Sequence, residues 1–136
     1  MASCALFHSR RAARAITAFF DRQLRPAGIR ATQFSLLVAV SLAEGRPLSE
    51  IADYMAMDRT ALARDLRVLE ERGLLTIAAS ASDRRVRLMT LTAKGTRVMQ
   101  GALPHWREAQ DGVERALADS TWPALLRGMQ TVSELD

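Results

Sequence analysis

A single cysteine, Cys4, in 136 residues leaves no internal disulfide framework and no Cys-built zinc site. The two histidines, His8 and His105, form no His-x₃-His pair and Cys4 has no carboxylate pair beside it, so no metal site is expected. Aromatics make up 5%, with seven Gly and four Pro, too few turn formers for an all-β sandwich. The longest uncharged stretch, residues 31–43, falls short of the roughly 20 apolar residues that span a bilayer. The opening MASCALFHSRR has no long apolar core between a basic start and a cleavage site, so a cytoplasmic protein is expected. Gly-rich phosphate loops and nucleophile elbows are missing too, and Glu70–Glu71 reads as a solvated helix face, so neither enzyme nor cofactor is expected.

What is present is one soluble domain's worth of chain, 49% hydrophobic and 25% charged. The net charge of +4 is unevenly placed: residues 1–30 carry +5, residues 46–97 carry +3 and residues 98–136 carry −3. All but one of the 19 cations are Arg, Lys94 being the exception. Arg forks onto phosphate or a guanine edge, although a GC-rich genome produces the same bias. A positive middle with an acidic tail suits a polyanionic partner.

Along the chain, Ala13, Ile16, Phe20 and Leu24 recur at helical spacing over residues 5–25, which end at Pro26–Gly28. Thr32 reads as N-cap of a helix over 33–43, apolar nearly all round through Phe34, Leu36, Leu37, Val38, Val40 and Leu42, as central core helices are. Glu44–Pro47 breaks it. Ser49 opens a short helix through Ile51, Ala52 and Met55, and Asp58 caps another over 59–72 that Gly73 closes. Two helices joined this closely make a helix-turn-helix. Strands follow over 74–78 and 86–91, with a polar turn over 79–83. Thr92 caps a helix from 93 to about Ala118, with Pro104 expected to kink it. Ser120 caps a last helix striped by Trp122, Leu125, Leu126, Met129 and Val132.

At 100° per residue, Leu62, Leu66 and Leu69 share one side of the 59–72 helix, and Thr60, Ala63, Arg64, Arg67 and Glu71 lie nearly opposite. Small residues interleaved with Arg suit a major groove, where bulk blocks approach; a plain amphipathic surface helix has the same inward stripe. Asp83–Arg84–Arg85 then stands at the tip of the hairpin. Two guanidinium groups there can enter a minor groove, with Asp83 orienting one of them by ion pairing. A polar turn with solvated charges is the plain alternative. Arg59 and Arg30 are candidate phosphate contacts.

The segments GIRATQFSLL, PLSEIADYMAMDRTALARDLRVLEERGLL and DRRVRLMTLTAKG resemble the MarR-type winged helix-turn-helix regulators. The resemblance covers nearly the whole chain, and the block from Asp83 to Gly95 is its most specific part. It implies a mainly α fold with a small β-hairpin wing, a single domain over 1–136. Within it, residues 31–92 form the winged DNA-binding module and residues 5–25 and 93–135 intertwine in a homodimer. It further implies a repressor on a pseudopalindromic double-stranded operator, with Arg64 and its neighbours in the major groove and Arg85 in the minor groove. A small aromatic or anionic effector would sit between the first helix, the 33–43 helix and the long helix, held by Arg10, Arg11 or Arg14. Ion pairing of those Arg residues across the dimer is the plain alternative. The stripe from Trp122 to Val132 supports the dimer independently, because a monomer would leave it exposed.

Two alternatives stay open. Some regulators of this family sense hydroperoxides through a Cys near the start of the first helix, as Cys4 is, but those pair the thiol with tyrosines, and the single Tyr here, Tyr54, falls in the DNA-binding module. The other is a winged protein-interaction module without DNA binding, which would show little salt dependence.

Overall fold

The computed structural model describes residues 3–43, 45–117 and 121–135. At its centre lies α2 (Ala31–Leu42), which buries Phe34, Leu36, Leu37, Ala39 and Val40. Leu42, expected in the core, is 73% exposed at the end of the helix. Before it come α1 (Ala5–Leu24), a 3₁₀ turn (Arg25–Ala27) and Gly28 in the left-handed region, φ +67°. After it come α3 (Leu48–Tyr54) and α4 (Arg59–Glu71). The hairpin of β1 (Leu75–Ala79) and β2 (Arg87–Leu91) follows, then α5 (Ala93–Leu117) and α6 (Thr121–Ser133). This is the expected mainly helical fold with one antiparallel hairpin, paired from Leu75↔Leu91 to Ala79↔Arg87. Pro104 lies inside α5, which continues through it. Glu44, Ala118 and Ser120, at which breaks and a cap are expected, lie outside the described residues.

Two N-caps differ from expectation. Thr32 does not cap α2: the helix begins two residues earlier, with Arg30 at the cap position. The free amides there find one local and one distant acceptor, Gln33 Oε1 taking the Arg30 N–H at 3.1 Å and Asp21 Oδ1 of α1 taking the Ala31 N–H at 2.7 Å. Ser49 lies inside α3, because Pro47 holds the cap position at φ −63° and its carbonyl accepts the Glu50 N–H at 3.1 Å. Asp58 caps α4 as expected, its carboxylate accepting the Thr60 and Ala61 N–H groups at 2.9 and 3.0 Å.

The core gathers α4's stripe of Leu62, Leu66 and Leu69, all fully buried, with Leu24, Leu37, Leu75 and Met89. α4 ends at Gly73, φ +69°: the Gly73 N–H reaches the Glu70 carbonyl and the Leu74 N–H the Leu69 carbonyl, at 2.8 and 2.9 Å. α3 ends with the same pair of bonds, Ala56 N–H to Asp53 and Met57 N–H to Ala52, but the left-handed residue is Ala56, φ +49°. α5 begins at the hairpin's base. Thr92 Oγ1 donates to the Gly73 carbonyl at 2.7 Å and accepts the Gly95 N–H at 3.0 Å. A Cβ on Gly95 would overlap the Leu74 carbonyl. The TAKG run is thus a clasp joining the end of α4, the hairpin and α5.

The terminal helices are built differently. Along α1 only Leu24 is buried, and α6 buries nothing. Leu125, Leu126 and Met129 stand about 40% exposed and Val132 60%. No described helix is long and apolar enough to cross a membrane.

Candidate nucleic-acid interface

With its leucine stripe buried, α4 turns Thr60, Arg64 and Arg67 outward, while Ala63 is half-buried beside them. Arg59 is exposed at the N-terminus of α4, beside the Asp58 carboxylate that caps it. The Arg64 Nε donates to Asp65 Oδ1 at 3.3 Å. Asp65 and Arg64 therefore form a loose pair at the edge of this face, their side chains 37% and 76% exposed. Arg30 is exposed at the start of α2.

The hairpin tip is tied by its own side chains. The Ser80 N–H donates to the Val86 carbonyl and the Val86 N–H to the Asp83 carbonyl, at 2.9 and 3.0 Å. Asp83 Oδ1 accepts the Arg85 backbone N–H at 2.9 Å and its Nε at 3.3 Å, and Oδ2 faces Nη2 at 3.4 Å. The Arg85 backbone N–H, and after it the guanidinium, hold the Asp83 carboxyl below the ordinary carboxylate value against slight desolvation. The side chain of Arg85 is 92% exposed, and Arg84 is exposed next to it.

Some functional contacts were not legible from residue types. Glu70, read as solvated, is part-buried and its Oε1 accepts the Ile77 N–H at 3.0 Å, tying α4 to β1. Arg72 donates to Gln33 Oε1 at 3.1 Å and to the Gly28 carbonyl at 2.9 Å. Lys94 Nζ holds the Arg72 carbonyl at 2.6 Å. These bonds fix the far end of α4, and nothing local in the sequence announces contacts 22 to 44 residues apart.

A cavity of about 380 Å³ opens where α1, α2 and α5 meet α4, between Ile16, Phe20 and Leu24 on one side and Trp106 on another. This is the expected place for an effector, but Arg10, Arg11 and Arg14 do not line it. The cause is helical phase and rise. Ile16, Phe20 and Leu24 recur every four residues on the cavity side, Arg11 and Arg14 fall on other faces, and Arg10 lies about 9 Å further along the axis. Arg14 lines a separate shallow cleft with Asp21. The charged residue lining the cavity is Asp65. Cys4 occupies the N-cap position of α1, half-buried, without a side-chain cap bond, and Tyr54 on α3 is 76% exposed. Among the described residues no three His, Cys, Asp or Glu side chains come together as a metal site would require.

Comparison with known proteins places this geometry. A sequence model of the MarR family matches residues 27–86. The M. tuberculosis transcriptional regulator MosR, solved in complex with DNA, is 38% identical, with 97% of this chain and 95% of that one covered at a TM-score of 0.89. The transcriptional repressor CouR bound to a 23-mer DNA duplex is 27% identical over 98% and 94% of the two chains, TM-score 0.88. CouR from Rhodococcus jostii RHA1 bound to p-coumaroyl-CoA aligns at 24% identity over 99% and 95%, TM-score 0.81, a likeness of fold. A search of curated proteins finds no match.

Proposed function

The chain belongs to the MarR family of non-enzymatic, DNA-binding transcriptional regulators, and from that premise we propose that it is a cytoplasmic homodimeric repressor, bound to a pseudopalindromic operator and released by a small molecule. The observation that carries the reading is the outward face of α4 beside the tied hairpin tip. Arg64 and Arg67 are exposed with Thr60, next to Ala63, on a helix whose opposite side is fully buried. Residues 31–92 form the DNA-binding module. Thr60, Ala63, Arg64 and Arg67 enter the major groove, Arg59 and Arg30 contact phosphates, and Arg84 and Arg85 reach the minor groove with Asp83 setting the approach of Arg85.

Residues 5–25 and 93–135 form the dimerisation region. The apolar row on α6, from Leu125 to Val132, stands in solvent on one copy and is the kind of surface a second copy covers. Two-fold symmetry then sets two α4 helices about 34 Å apart, one duplex turn. The cavity beside α4 is the effector site. Selection of genomic fragments by the purified chain, followed by salt titration on the enriched duplex, tests the reading. Retention of a dyad-symmetric sequence with affinity falling steeply as salt rises is the expected result. A chain that is strictly monomeric, or that ignores duplexes at low ionic strength, overturns it.

A further inference from the structure

Resting on the reading of the chain as an effector-released regulator, we propose that the cavity takes a monocation carried on an aromatic body, and that this ligand acts by drawing Asp65 away from Arg64. The volume of about 380 Å³ suits a small organic ligand. Phe20 and Trp106 offer ring faces, and Met55 and Met57 adaptable thioethers; rings and sulfur both favour a flat, polarisable body, and rings attract a cation. Among the described residues no Arg or Lys lines the cavity, and Asp65 does. An anionic ligand would meet a carboxylate with no lining cation to offset it, whereas a cation meets its counter-charge.

The same carboxylate touches the DNA-facing side. Asp65 lies on the flank of α4, between the buried leucines and the outward face, and accepts from the Nε of Arg64. That bond leaves both Nη groups of Arg64 free to fork onto a guanine edge. Asp65 thus steadies the base-reading side chain from behind. At 3.3 Å, with both partners partly exposed, the pair is weak and exchangeable. A cation seated in the cavity competes for the carboxylate, and Arg64 loses its support. The ligand and the operator then oppose each other through one side chain, which supplies the differential affinity that release requires.

The test uses the full chain and three probes sharing one ring system: 1-naphthylmethylammonium, 1-naphthylmethanol and 1-naphthoate. Calorimetric titration is expected to find the ammonium bound about tenfold or more tighter than the carboxylate, with the alcohol between them. Asp65→Asn should shrink that ratio to about threefold or less, while Asp65→Glu keeps it. Saturating ammonium should raise the Kd for the operator about fivefold or more, and naphthoate should not. Naphthoate binding as tightly as the ammonium, no heat from the ammonium at millimolar concentration, or a ratio unchanged in Asp65→Asn overturns the proposal. The charge series on the unaltered chain decides it even if Asp65→Asn fails to fold. Operator binding without any probe is measured alongside. If that binding is intact while the cavity prefers the anion, only the cation assignment falls. If it is absent, the regulator reading falls, and this inference with it.

Discussion

Residues 31–92 and the terminal helices solve the burial problem in opposite ways. In the first region each element finds its partner within the same chain: α2 is buried on most sides, α4 hides its leucines, and the hairpin is clasped to the end of α4 and the start of α5 by Thr92 and Gly95. In the second, α6 leaves Leu125, Leu126, Met129 and Val132 in solvent and α1 buries only Leu24. The difference separates two sources of order. The winged region carries its own, so it fixes the backbone from which Arg64 and Arg85 extend. α1 and α6 carry little of their own, and in the proposed dimer a second copy would supply it and make operator spacing a property of the pair.

The comparison breaks most completely at the clasp. Gly95→Ala sets a methyl group against the Leu74 carbonyl, and backbone cannot yield as a side-chain end does. A loss of about 3 kcal/mol or more is expected, read as a fall in Tm of about 10 °C at fixed protomer concentration. A variant melting like the parent would show that the winged region is not closed in this way.

The open region is tested by charge. Leu125→Asp with Met129→Asp puts two carboxylates into the proposed dimer surface, where burying each unpaired charge costs several kcal/mol. Light scattering should then report monomers at concentrations where the parent is dimeric, with helix content kept. Unchanged mass would mean that α6 meets no partner.

Arg64 and Arg85 sharpen the contrast at the outward edge of the closed region. Arg64→Ala should cost about 1–3 kcal/mol and relax preference at one base pair, while Arg85→Ala should weaken operator binding and make its salt dependence shallower. Gel-shift titrations with matched and mutated duplexes measure both. Thermal stability should hardly move, since neither guanidinium packs into the core: Arg64 and Arg85 are 76% and 92% exposed.

How much of this was legible follows from the range of each interaction. Elements were readable wherever a local device marks them: Asp58 two residues before Thr60, Gly73 just beyond α4, Thr92 ahead of Gly95, and the period of Leu62, Leu66 and Leu69. The α2 start was misplaced by two residues because its acceptors include Asp21, ten residues back on another helix. Glu70 looked solvated because its partner, Ile77, lies across a chain reversal. At the cavity, the expected place came from the family resemblance. Its lining by α1 was within reach of the period of Ile16, Phe20 and Leu24, which already turns Arg11 and Arg14 to other faces, whereas Asp65 arrives there from a distant helix.

The smallest expected effect lies in the turn between α3 and α4. α3 and α4 end with the same pair of backbone bonds, and in each the residue making the reversal is left-handed. α4 uses Gly73 there and α3 uses Ala56. A residue with a Cβ is strained in that region by about 1–2 kcal/mol. Glycine removes the strain and returns part of the gain through the greater freedom of its unfolded chain, about 0.5–1 kcal/mol. Ala56→Gly should therefore stabilise by about 0.5–1 kcal/mol. Gly73→Ala should destabilise by about 1 kcal/mol from backbone strain alone, because no atom lies within 4 Å of the added methyl. Urea titration of both variants at one protomer concentration checks the pair. If Ala56→Gly gains stability and operator affinity together, the turn is simply imperfect. If it gains stability and loses affinity, the strained alanine is holding Met57 and the N-terminus of α4 at the angle the groove requires.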